Sequence, residues 1–251
     1  MFGVDEHVAD LAAGGGVLAL LAVAVLLGLR HATDPDHLAA VSALIAGDSA
    51  EGARRSGRLG LAWGAGHGTT ITLFGIPIVV LDAYLPEPLQ IGTEMLIGLL
   101  IMALSLRLLV RWRRGRFHAH DHQHDGRHHT HLHPHKGAKE ETHDHGHAKP
   151  LRTMGGSFGV GLLHGVGGSA GIGVLLLAAI PDHAVGITAL VLFALFTAFS
   201  MGLASSLFGR FLAGRRARHR SGFAAPALGV FNLAFGAWYA LGALGAVPYA
   251  F

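Results

Sequence analysis

The sequence predicts an all-α membrane protein of about six transmembrane helices, arranged as an inverted 3+3 repeat, with the first helix broken in its middle. Three observations predict it. Hydrophobic residues make up 51% of the chain and charged residues only 14%, where a soluble domain carries about 25% charged residues. Six apolar stretches reach the roughly 20 residues that a helix needs to cross a bilayer. The basic residues fall almost entirely in alternate connections between those stretches.

The spans, in order, cover residues 11–46, 59–81, 89–110, 154–180, 185–209 and 222–247. Seventeen of the 19 Lys and Arg lie in three connections. Arg54, Arg55 and Arg58 follow the first span, nine lie between Arg111 and Arg152, and Arg210, Arg215, Arg216, Arg218 and Arg220 precede the sixth. The remaining ends, "MFGVDEHVAD", "DAYLPEPLQ", "PDHAV" and the C-terminus, contain none. By the positive-inside rule the basic loops are cytoplasmic and both termini are outside, in a multi-pass protein of the cell membrane. These charges act as topology signals, so the basic pI of about 9.7 does not indicate nucleic acid. The acidic start lacks the basic n-region of a cleaved signal peptide. Absence of cysteine excludes disulfides and thiolate metal sites.

The two halves align. "GLRHATDPDHLAAV" from Gly28 matches "GLLHGVGGSAGIGV" from Gly161, so that Gly28, Leu29, His31 and Val41 meet Gly161, Leu162, His164 and Val174. "TLFG" at Thr72 matches "SLFG" at Ser206, and Gly98 meets Gly229. Residues 1–112 form the first repeat, 113–150 a cytoplasmic loop and 151–251 the second repeat. Three spans per half put the halves in opposite orientations. Transporters built this way bind their substrate near the midplane, on interrupted helices.

"RHATDPDH" sits inside the first span, where ionisable groups are expensive and signal function. Pro35 removes a backbone N–H and disfavours the α conformation at Asp34. The helix should break there, with Asp34 as N-cap and Pro35 as the first residue of a new helix. The break lets His31, Asp36 and His37 converge. Two imidazoles and a carboxylate without sulfur suit a divalent ion such as Ni²⁺, Co²⁺ or Zn²⁺. The competing readings are a satisfied polar kink and a proton relay. In "WGAGHGTT", His67 is a further ligand or a structural hydrogen bonder. In "HGVGGSAG", the repeat mate of the first motif, the glycines unwind the helix or permit close packing. Asp34, Thr70, His164 and Ser169 are assigned to the pathway around the ligands.

The segment from 117 to 149 holds 12 of the 19 histidines: His118, His120, His122, His124, His128, His129, His131, His133, His135, His143, His145 and His147. Its low apolar content predicts disorder. Its imidazoles offer many weak sites for divalent metals. A polar linker and a pH sensor are the other readings.

These residues resemble the nickel/cobalt transporter (NiCoT) family. "HATDPDH" fits the HX4DH signature with His31, Asp36 and His37 in register, and Pro35 stands where the family usually has alanine. "LAAVSALI", "WGAGHGTT" and "GLLHGVGGSAG" are similar to the short, six-span UreH/NicO-type branch. The resemblance implies a secondary carrier for Ni²⁺ or Co²⁺ as transported substrate, with no catalytic cofactor. It implies uptake for urease or hydrogenase maturation, with cytoplasmic metallochaperones as partners, and a transport role for His31, Asp36, His37 and His67. The long histidine loop is similar to that of the related exporters, so export on the same scaffold is the alternative. An intramembrane zinc hydrolase, with Asp34 as general acid or base, is a further reading; no separate catalytic motif accompanies it. No G-x-x-x-x-G-K-[ST] nucleotide loop occurs in the chain.

Overall fold

A computed structural model describes residues 16–45, 52–81, 86–113, 118–124, 127–133, 153–165, 167, 169–213 and 215–248. Among the described residues, eight helices run in the order α1 (Val17–His31), α2 (Pro35–Ile45), α3 (Gly52–Leu81), α4 (Glu87–Arg113), α5 (Met154–His164), α6 (Ser169–Ala178), α7 (His183–Ala213) and α8 (Arg215–Ala243). Helices α3, α4, α7 and α8 each contain a stretch long and apolar enough to cross a bilayer. The α1–α2 pair passes the same test as one span bent by 45°. Helices α5 and α6 have 11 and 10 residues. Each alone is too short to cross, and together they occupy the fourth predicted span. Leu18, Leu73, Phe211 and Phe231 are largely exposed, as expected where lipid replaces water around the bundle.

The helices pack symmetrically under exchange of the halves. Helix α3 lies along α7, and α4 along α8; each is paired with its own repeat mate. The first half-helix of one repeat, α1, packs on α7, and its counterpart α5 packs on α3. Glycine at matched positions permits both contacts. A Cβ at Gly28 would overlap the carbonyl oxygen of Phe193, and one at Gly161 would overlap that of Trp63. Pro77 and Pro226 lie inside α3 and α8, a tolerated placement where neighbouring helices re-satisfy the freed backbone groups.

Two apolar clusters flank the middle of the bundle. One joins Val41, Leu44, Trp63, Ile97, Ile101 and Tyr239; the other joins Ala24, Ile71, Leu177, Leu190 and Phe193. The polar groups of the broken helices lie where these elements meet.

Two stretches of the histidine-rich loop lie among the described residues. Their backbone pairs as an antiparallel ladder between β1 (His118–His124) and β2 (Arg127–His133), with His118 opposite His133 and His124 opposite Arg127. Asp125-Gly126 at the connection is a strong hairpin signal. His135, His143, His145 and His147 lie outside the described residues.

Candidate metal site

The site begins with the break in the first span. Helix α1 ends at His31, and Thr33 and Asp34 turn back onto it through N–H bonds to the carbonyls of Arg30 (2.8 Å) and His31 (3.1 Å). The Thr33 hydroxyl also donates to Arg30 O at 2.6 Å. Helix α2 then starts at Pro35, whose missing N–H costs nothing in the first turn. Asp34 takes the N-cap position in the backbone: its carbonyl accepts the first helical bond, from the N–H of Leu38 at 3.0 Å. Asp36 and His37 follow in the first turn of the new helix and are buried.

Around this turn, hydrogen bonds orient each ring. His31 Nδ1 donates to Asp34 Oδ2 at 3.0 Å, which aims its Nε2 at His67 Nε2, 2.9 Å away. His37 Nδ1 donates to Asp36 Oδ1 at 3.1 Å. Across 128 positions of sequence, His164 Nε2 donates to Asp36 Oδ2 at 3.2 Å. The His37 ring centroid lies 4.4 Å from that of His31, 4.9 Å from His67 and 4.5 Å from His164. Four imidazoles and one carboxylate therefore meet in a space shielded from solvent.

This set is under-satisfied by the protein alone. His37 Nε2, His67 Nδ1 and His164 Nδ1 are buried without hydrogen-bond partners. Each such group costs about 1–3 kcal/mol if nothing satisfies it, so three in one cluster are a deficit that an electrophile would relieve. Asp36 receives N–H bonds from two imidazoles. One negative charge among neutral nitrogen donors fits a divalent transition ion. The ligand atoms of His31, His37 and His67 lie within 4.8 Å of one another, and so do those of Asp36, His37 and His164.

Aromatic rings close the cluster. Trp63, one turn before His67 on α3, sits 5.7 Å from the His37 ring and 5.5 Å from that of His164. Phe193 of α7 lies 5.4 Å from His31. These walls exclude water, which strengthens every electrostatic contact within.

The structure thus brings together His31, Asp36, His37 and His67, the expected ligands, and adds His164 to them through Asp36. Asp34 stands behind His31 and fixes its ring. Thr70 is differently employed: its hydroxyl is directed at the carbonyl oxygens of Leu162 (3.0 Å) and Gly66 (3.3 Å), which ties α3 to α5. Ser169 opens α6, but its side chain lies outside the described residues, as do the side chains of the histidine loop.

Sequence reasoning missed Trp63, Phe193 and Asn232. Asn232 of α8 is buried and donates to Ala39 O at 3.1 Å and to Ser42 Oγ at 2.7 Å, which clamps the half-helix that carries Asp36 and His37. A lone amide in the apolar run "GVFNLAFGAW" was the available signal, since such groups join helices in membranes. Glu94, buried on α4 and paired with Gln90 Nε2 at 3.1 Å, was a second signal left unused.

Comparison with known proteins agrees with this chemistry. A family model described as high-affinity nickel-transport protein (NicO) matches residues 17–214. The urease accessory protein UreH of Bacillus sp. (strain TB-90) is 26% identical over 198 residues, which cover 77% of each chain. No solved structure gives a significant match. The matched region holds both broken spans and all five clustered residues, and the chain belongs to the NicO family of high-affinity nickel-transport proteins.

Proposed function

We propose that this chain is a nickel permease that takes up Ni²⁺, and Co²⁺ with it, through the His–Asp cluster at its helix break. The observation that carries the reading is the convergence of His31, Asp36, His37, His67 and His164, buried, with three ring nitrogens unpartnered. Borderline divalent ions prefer imidazole, whereas Mg²⁺ and Ca²⁺ prefer oxygen. A site of four imidazoles and one carboxylate therefore selects against the abundant hard cations.

Nickel transport by the family favours a carrier over a zinc hydrolase. The charge distribution supports a membrane location with both termini outside and the histidine loop in the cytoplasm. There the loop would gather incoming ions by many weak contacts and pass them to metallochaperones of urease or hydrogenase maturation. With no nucleotide loop in the sequence, a gradient or trapping downstream would drive uptake.

The test is uptake of radioactive nickel by cells expressing the chain, repeated with the purified protein in liposomes. Accumulation that His37→Ala abolishes is the expected result. Depletion of cellular nickel, with added resistance, would instead assign export, and normal uptake by His37→Ala would refute the site.

A further inference from the structure

We infer that the cluster is two overlapping ion stations that share His37, and that an ion crosses by exchanging one set of ligands for the other. The inference rests on the permease reading. Within the cluster, the ligand atoms form two compact groups, His31–His37–His67 and Asp36–His37–His164, and His37 belongs to both. His31 and His67 complete one group around it, and Asp36 and His164 complete the other. The centroid of the His37 ring lies 4.4 Å from His31 and 4.5 Å from His164.

The first group lies wholly in the first half of the repeat, and the second adds His164 from the other half. His31 is the last residue of α1, and His164 is the last residue of α5. These half-helices are repeat mates that open spans separated by two further crossings, so they enter the bilayer from opposite faces. Each thus presents a terminal imidazole to a common centre, one from either side. A single five-ligand cage gives no reason for this arrangement. A hand-over between faces does.

Imidazole chemistry makes the sharing exclusive. A neutral histidine has one nitrogen lone pair to give, because its other nitrogen carries the proton. His37 can therefore serve one ion at a time, and two divalent ions in adjacent stations would also repel. The stations differ in charge: the first is three neutral imidazoles, and the second contains the Asp36 carboxylate. Moving into the second station replaces the N–H bonds that Asp36 receives from His37 and His164 by contact with the ion. No ligand set has to release the ion into a dry interior.

Co²⁺ titration of the purified full-length chain in detergent, read by its visible d–d absorption, tests this together with Co²⁺ transport in liposomes. Counting high-affinity ions only, apart from the weak sites of the histidine loop, the wild type should bind one. His67→Ala and His31→Asn open the first station; His164→Ala and His164→Asn open the second. Two substitutions per station, each checked by size-exclusion profile, keep the result readable if one variant does not fold. Each should still bind one ion, with a different spectrum for each station, and should lose transport. His67→Ala combined with His164→Ala should lose high-affinity binding. Loss of all binding in single variants of both stations would show one five-ligand site and overturn the inference while leaving the permease intact. Simultaneous high-affinity binding of two ions by the wild type, or normal transport by either station's variants, would also overturn it. A folded wild type that neither binds nor carries the ion would remove the permease reading itself.

Discussion

The two broken spans solve the same geometric problem with different residues. In the first, Pro35 and the Thr33–Asp34 turn break the helix, and four ionisable side chains crowd into seven residues. In the second, the break follows His164 and is rich in glycine, and only one imidazole reaches the cluster. A proline fixes the backbone and leaves the turn to carry chemistry. Glycines instead let the chain approach its neighbours: Gly161 and Gly165 sit against the backbone of Trp63 and His67. The first break supplies ligands, and the second supplies close fit and a single opposing group.

The comparison can be broken most severely at its shared member. His37→Ala should bring nickel uptake to background, since it removes a donor from both ligand groups. The second largest effect belongs to the glycine side. Gly161→Val would drive methyl groups into Trp63 O and His67 N. Backbone that cannot yield makes this overpacking cost about 1–3 kcal/mol or more, so a lower Tm and a poorer size-exclusion profile are expected. Pro35→Ala probes the other break. It restores an N–H where the helix now starts, and should leave the thermal midpoint nearly unchanged while nickel affinity falls; unchanged affinity would show that the turn holds without its proline. The smallest effect is expected from Asn232→Leu. Two hydrogen bonds to α2 are lost, but Ser42 keeps its bond to Ala39 O at 2.9 Å. A cost of about 1 kcal/mol, read as a modest fall in Tm, should accompany a weakened but measurable uptake.

Within this contrast, the first break was legible in the sequence and the second was only partly so. Local steric rules at Pro35 announce a break, and His31, Asp36 and His37 are close in sequence, so little loop closure separates them. His67 was visible as a histidine amid glycines in an apolar run. The pairing of His164 with Asp36 was not legible, because nothing local favours a contact over 128 positions. The repeat alignment placed His164 opposite His31, which gave it a place in the pathway without a partner. Trp63 and Phe193 read as ordinary apolar residues, and only their ring contacts mark them as walls of the site. In the histidine loop the composition argued for disorder, and the described stretches 118–124 and 127–133 pair as an antiparallel ladder.

Sequence by itself determined the membrane class, the site of the first break and the kind of ion that the donors suit. These follow from hydropathy, proline sterics and ligand softness, all properties of residues or short segments. Tertiary packing alone decided that the two breaks meet, that His37 packs against both His31 and His164, and that Asp36 pairs with His164 of the second half. Those outcomes depend on how closely α3 approaches α5 and α7, and glycine contacts between helices distant in the chain set that distance.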